Sequence, residues 1–338
     1  MDKRNQLSIL DQLASQSGQI SRSTKRLQAI AEWIDWQPLY EIGRRVDKTG
    51  PKGGQPRKPV RWMIRGLFLK HLYQLSDPQL EDQLIDRLSF RRFVGLPLDQ
   101  RVPDFTTFWR FQEALASEGL VEKLFEAINR QLEDQGLFLK QGTVVDATII
   151  NSSNRPLSDD KRKSLEQAPS SQVDTDADAT YKGGTWHFGY KGHIGLDAGS
   201  KLIRQISFTP ASTHDSQALA ELVSEDERSL FGDKAYSNDS VKHQARKSGW
   251  YYGILDKTKK NHQLSVAQKK RNKRHSRVRR QVEHVFGAIK DRYGMRVAHS
   301  KNKLRNRAQF MMKTICWNIE RSMQFAQKEL KIKPARAY

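Results

Sequence analysis

Three carboxylates stand in settings where chemistry is the first question. Asp146 lies inside a run of β-branched residues, 143–150, that reads as a strand. Val144, Asp146, Thr148 and Ile150 then share one face. An ionised carboxylate among apolar neighbours is costly unless something positive neutralises it. Asp146 therefore reads either as one half of a strand-end ion pair or as a metal ligand at the centre of a sheet. Asp233 follows Leu230, Phe231 and Gly232, so it closes a short predicted strand. There a sheet fixes the backbone, a loop exposes the side chain, and Gly232 admits close approach; an ordinary turn aspartate is the competing reading. Glu283 falls on a predicted helix from about Val278, whose Val278, Val282, Val285, Phe286 and Ile289 form an apolar stripe. At about 100° per residue, Ser276, Arg279, Glu283 and Lys290 gather on one side of it. An i, i+4 surface ion pair between Arg279 and Glu283 explains that spacing as readily as a functional carboxylate flanked by two cations.

One chemistry uses all three. Phosphodiester cleavage by two metal ions needs oxygen ligands around ions roughly 3.5–4 Å apart. Two Mg²⁺, with Mn²⁺ as a substitute, suit a few carboxylates because Mg²⁺ keeps much of its water. One ion activates a water or a 3′-hydroxyl, and the other stabilises the leaving oxygen. Arg279 and Lys290 would suit phosphate oxygens beside them.

The charge balance points to the same class of partner. Lys and Arg outnumber Asp and Glu by 59 to 38, a net charge of +21. So large an excess repels itself unless a polyanion is the usual partner. Nucleic acid is favoured over an anionic membrane, because no run approaches the roughly 18 apolar residues of a spanning helix. Residues 257–313 carry 19 Lys and Arg against two acids, Glu283 and Asp291. Arg274, Arg277, Arg279 and Arg280 lead into the helix of Glu283, and Lys290, Lys301, Lys303 and Arg307 follow. This is either a solvated charge run or a phosphate track, which gives affinity and salt sensitivity without base information. Lys191 and His193 alternate along one predicted strand face as further DNA candidates. Trp186, Tyr190 and Trp250 read as core aromatics or as stacking surfaces for unpaired bases. The only cysteine, Cys316, excludes an intrachain disulfide and a cysteine-based zinc site. With no apolar stretch of signal-peptide length in residues 1–20, a reducing, cytoplasmic setting is expected, beside the nucleoid if DNA is the partner.

The elements that must position these residues fall into a helical part and a mixed part. Residues 1–58 form a polar segment with one short helix around Leu27, Ile30, Trp33 and Ile34, and a Gly- and Pro-rich loop at 47–56. Residues 59–140 show helical periodicity throughout and read as a DNA-binding domain. Arg91, Arg92, Arg101 and Arg110 are its candidates for base contacts, and a helix-turn-helix would serve. Residues 141–325 read as a catalytic domain: three strands, then helix, strand, helix, strand, helix, as in a mixed α/β sheet. Within it, 151–184 is a polar loop expected to order only with a partner, and 257–277 a basic segment. Residues 326–338 form a tail.

Along 60–325 the sequence resembles bacterial insertion-sequence transposases of the DDE class, of the IS-five type. The resemblance rests on residues 82–96 and 103–111, on Val145-Asp146-Ala147-Thr148, on Gly189-Tyr190-Lys191-Gly192-His193-Ile194-Gly195-Leu196-Asp197, and on Thr213-His214-Asp215-Ser216. Gly232-Asp233-Lys234-Ala235-Tyr236 and Val282-Glu283-His284-Val285-Phe286 complete it. It implies a ribonuclease H-like core in which Asp146, Asp233 and Glu283 bind the metals. It also implies a Tyr-x2-Arg-x3-Glu-x6-Lys signature, matched by Arg279, Glu283 and Lys290, with Ser276 at the tyrosine position. The implied activity is Mg²⁺-dependent cleavage at element ends and strand transfer into target DNA. The implied partners are double-stranded terminal inverted repeats, target DNA and a second copy of the chain, at least a homodimer. Two other readings are a catalytically silent DNA-binding regulator derived from a transposase and a ribonuclease H-like nuclease without strand transfer. Only 49 residues separate Asp233 from Glu283, so no large all-β insertion is expected between them.

Overall fold

A computed structural model describes residues 21–46, 57–167, 173–258 and 263–328. The expected loop at 47–56 and the tail beyond 328 lie outside the described residues. The chain divides into two compact units, the first running to Gln131 and the second from Leu132 to Glu329.

The first unit is helical. Its elements are α1 (Arg22–Trp33), α2 (Gln37–Arg44), α3 (Val60–Leu72), α4 (Asp77–Asp86), α5 (Leu88–Val94), α6 (Phe105–Ser117) and α7 (Leu120–Asp134), which runs across the division. Local chemistry sets the helix starts. Ser76 and Gln79 form a reciprocal capping box on α4, and Asp104 caps α6 through the Thr107 amide at 2.9 Å. The apolar stripes of α3 and its neighbours meet around Leu67, Phe68, Phe90 and Phe108, all buried. Trp36 packs edge-on to Phe68 and Phe93, and the Arg65 guanidinium lies 4.8 Å from the Trp36 ring.

The second unit is a curled mixed sheet with helices against it. In chain order it comprises β1 (Thr143–Ser152), α8 (Asp159–Gln167), β2 (Asp178–Lys182), β3 (Thr185–Asp197), β4 (Ile203–Pro210), α9 (Asp215–Leu222), β5 (Ser229–Gly232), α10 (Asp239–Ser248) and β6 (Tyr251–Ile254). Then follow α11 (Val266–Arg279), α12 (Gln281–Gly287), a π-turn (Ala288–Arg292), β7 (Val297–Ala298) and α13 (Lys303–Lys328). β3 pairs antiparallel with β1, β2 and β4; β5 pairs parallel with β1 and β6. This is the ribonuclease H-like arrangement, a three-strand meander extended by parallel strands.

Two parts of this unit differ from the sequence expectation. Within 151–184, α8 and β2 form, and buried Asp174 ties the segment to the sheet. It accepts the Tyr190 hydroxyl at 2.6 Å and the Ala177 amide at 3.2 Å. The stretch read as a basic segment to 277 is mostly helix α11, opened by a capping box between Ser265 and Gln268. That Ser-x-x-Gln signal stands in the sequence, and the charge run masked it.

The long helix α13 covers one face of the sheet, with Phe310 against Phe208 and Gly192. Its Asn318 also satisfies the free edge of β4. The Ile203 amide donates to Asn318 Oδ1 at 2.8 Å, and Asn318 Nδ2 donates to the Ile203 carbonyl at 2.8 Å. Asn318→Leu removes both of these buried hydrogen bonds, at up to about 1.5 kcal/mol each. The urea midpoint should fall accordingly, by about 3 kcal/mol of stability, with the denaturant slope unchanged.

Candidate active site

Strand register brings two of the three carboxylates together. Val145 on β1 is paired with Gly232 on the parallel strand β5, so Asp146 and Asp233 are the next residues along neighbouring strands. Parallel neighbours lie about 4.8 Å apart, which puts both side chains at one end of the β1–β5 pair. Gly232 is required for this packing: a Cβ there would lie 2.7 Å from both Val145 and Ile254. Each aspartate is oriented locally, Asp146 Oδ1 accepting the Ala147 amide at 2.9 Å and Asp233 Oδ1 the Lys234 amide at 2.8 Å.

Arg279, the last residue of α11, completes the arrangement. Its Nε donates to Asp146 Oδ2 at 3.1 Å, and its Nη1 lies 3.7 Å from Asp233 Oδ1. The Asp146 side chain is only 16% exposed. Burial raises its pKa above the ordinary carboxylate range, with Arg279 opposing. Burial works against the charge on Arg279, but Asp146, Asp233 and Glu283 outweigh it and raise its pKa. The guanidinium thus occupies the place between two carboxylates where a cation is needed.

Glu283 stands in the first turn of α12, exposed, close enough to act on Arg279. Among the described residues, no group of three or more His, Cys, Asp or Glu is placed to hold a metal ion. The single helix read from the sequence is interrupted twice here. Arg280 is a turn residue between α11 and α12, and Lys290 sits in the π-turn. Such single π-turns recur at functional sites. Burial, Arg296 and Lys182 lower the pKa of Lys290. Asp146 and Asp233 share one cation, and carboxylate oxygens are donors of the type hard divalent ions take; Glu283 is carried four residues beyond Arg279.

α11 is held to the sheet edge by polar contacts on one side. Asp256 pairs with Arg271, and its backbone exchanges two hydrogen bonds with the Asn272 side chain. His275, buried, receives or donates a 2.9 Å hydrogen bond with the Tyr251 hydroxyl. Lys269, Lys270, Lys273, Arg274, Arg277 and Arg280 remain exposed. Lys303 is exposed as well, while Lys301 and Arg307 are half-buried.

Three sequence expectations need correction. Lys191 and His193 are buried and so are not presented to DNA. Lys191 donates to Asp215 at 2.9 Å and to the Thr213 carbonyl at 2.7 Å. His193 links the Tyr236 hydroxyl, at 2.8 Å, to Thr209, at 3.0 Å. Tyr236 ends the short 3-10 turn that Asp233 caps, so this buried chain braces the backbone behind Asp233. In the first unit, Arg91 is buried and donates to the carbonyls of Pro97 and Gln100, which removes it as a base reader. Tyr190 and Trp250 are core residues, whereas Trp186 is exposed. Lys182, whose charge reaches Asp146 and Lys290, was not singled out by the sequence. It stands in a low-complexity stretch with no motif around it.

The curled sheet with carboxylates at its centre defines a ribonuclease H-like DDE core. Residues 137–319, more than half of the chain, match the family model described as Transposase DDE domain. The chain belongs to that family and is an insertion-sequence DDE transposase. Residues 15–114 match a second model, Transposase domain (DUF772). No solved structure matches the chain. Among the described residues, no helix is long and apolar enough to cross a membrane.

Two outcomes follow from the buried pairs. Lys191→Met strands Asp215 and should cost about 3 kcal/mol in a denaturant titration, with the salt dependence of DNA affinity unchanged. Burial, aided by Lys191 and Lys182 against Asp215, lowers the His193 pKa from 6.5 to about 4. Its stabilising contribution is therefore complete above pH about 6.5. It is lost as the pH falls toward 4, by about 3 kcal/mol. His193→Gln should flatten that part of the stability–pH curve; an unchanged slope would assign it to other groups.

Proposed function

We propose that this transposase cleaves DNA at the ends of its element and joins the freed 3′-hydroxyls to target DNA, with Asp146, Asp233 and Glu283 as its metal-binding carboxylates. The observation that carries the reading is the convergence of Asp146 and Asp233, from adjacent parallel strands, on a single cationic group. Two Mg²⁺, or Mn²⁺ in their place, would supply activation of the attacking hydroxyl and charge neutralisation at the leaving oxygen. The buried setting of Asp146 limits water near the reacting phosphate and strengthens each charge interaction there. Arg279 is ordered against the carboxylates before DNA arrives; released from them, it would take a non-bridging phosphate oxygen together with Lys290. The exposed cations of α11 would hold the duplex by its phosphates on the approach to the carboxylates. Two element ends must meet for joining, so the working form would contain at least two copies. The helical unit is the candidate for recognising the terminal repeats, with exposed Arg101 and Arg110 and half-buried Arg92 among its candidate arginines.

The test is a Mg²⁺-dependent nicking assay on duplexes carrying the element's ends, followed by a joining assay with pre-cleaved ends and target DNA. Asp146→Asn, Asp233→Asn and Glu283→Gln should each slow nicking by roughly a thousandfold or more, several kcal/mol of transition-state stabilisation. Gel-shift affinity for the same duplex should change only about threefold, within the effect of removing one charge. Wild-type nicking rates in any one variant would remove that residue from the site. Binding without nicking by the wild type would favour the regulator reading, and nicking without joining the nuclease.

A further inference from the structure

β2 and β3 close a hairpin whose tip is built unlike the rest of the sheet. Its two-residue loop, Gly183 and Gly184, has positive φ at both positions, +62° and +80°, as a tight primed turn requires. Tyr181 and Trp186 are directly opposite each other across the hairpin, with ring centroids 5.4 Å apart. Both are exposed, at 60% and 71%. Neither contributes to the core, which Tyr190 and Phe208 fill further along β3 and β4. By the alternation of the strand, Lys182 and its partner Thr185 face the other way. The charge of Lys182 acts on Asp146, His193 and Lys290, so this face of the tip is within electrostatic reach of the candidate active site. The hairpin is also anchored: its five pairs are in register, and His187 Nδ1 lies 3.2 Å from Asn151 Oδ1 on β1.

We propose that the Tyr181–Trp186 pair is a stacking platform for an unpaired DNA base next to the bond being cut. The hairpin has two unlike faces, one carrying the charge of Lys182 and the other the exposed aromatic pair. Phosphate chemistry suits the first and a base suits the second, so the tip acts as a wedge where the strands part. Stacking tolerates any base, which fits a position set by distance from the cut rather than by sequence. Charge complementarity selects nucleic acid as the occupant: Lys182 adjoins Tyr181 in the strand, its charge reaches Lys290, and the chain as a whole carries a net charge of +21. The inference rests on the proposed function for the place of the cut, and its test does not.

The test uses the full chain without divalent ions, by fluorescence anisotropy. The probes are a labelled, fully paired duplex and the same duplex with a short single-stranded tail. The wild type should prefer the tailed duplex. In Tyr181→Ala/Trp186→Ala the ratio of tailed to paired affinity should fall by roughly fivefold to a hundredfold, the range for losing one stacked base. Trp186→Phe should keep most of it. Retention of the full ratio by the double alanine variant would overturn the proposal, as would a wild type with no preference. Loss of self-association in sedimentation, with the ratio intact, would make the pair a contact between copies instead. Because no cleavage occurs in this assay, a failure of the nicking prediction leaves its outcome standing, and the reverse also holds.

Discussion

A carboxylate near the centre of a sheet must be neutralised, and the second unit is organised around that requirement at Asp146. Its side chain is largely withdrawn from water, and burial alone opposes its ionisation. The parallel register of β1 and β5 adds Asp233 beside it and raises the demand for positive charge. Arg279 meets that demand from the end of α11, and the convergence of three elements at one point follows from it. A site that satisfies itself with an arginine is also one where a harder cation can compete.

The surrounding structure holds this point from behind. Asp256, Asn272 and the Tyr251–His275 contact fix α11 against β6, which sets the reach of Arg279. On the other side of the sheet, the Thr209–His193–Tyr236 chain braces the turn that Asp233 caps. Lys191 ties β3 to the start of α9 through Asp215. These are buried polar contacts, costly if left incomplete, so they specify one arrangement of backbone rather than several. The basic residues left over on α11 face outward and remain free to meet a polyanion.

Membership in the DDE transposase family agrees with this distribution of charge. The same helix both delivers Arg279 to the carboxylates and carries exposed cations along its length. Phosphate contacts on that surface would align a duplex with the place where chemistry is proposed. The helical unit has a core of its own, built on aromatic packing around Trp36, Phe68 and Phe93.

Much of this was legible in the residues alone. The β-branched run around Asp146, the short strand before Asp233 and the apolar stripe of Val282, Val285 and Phe286 are local patterns with fixed periods. They yielded the mixed sheet, the helical first part and all three carboxylates as candidates. Burial was not legible. Lys191 and His193 alternate as surface strand residues would, yet β3 has partners on both sides and helices over it, so the same alternation is internal. The basic run read as irregular because its charge hid the Ser265–Gln268 cap, and docking against Asp256 and Tyr251 supports the helix from outside the segment. Which cation neutralises Asp146 was likewise a tertiary matter. Periodicity reports which neighbours share a face, whereas register between strands distant in sequence decides which charges meet.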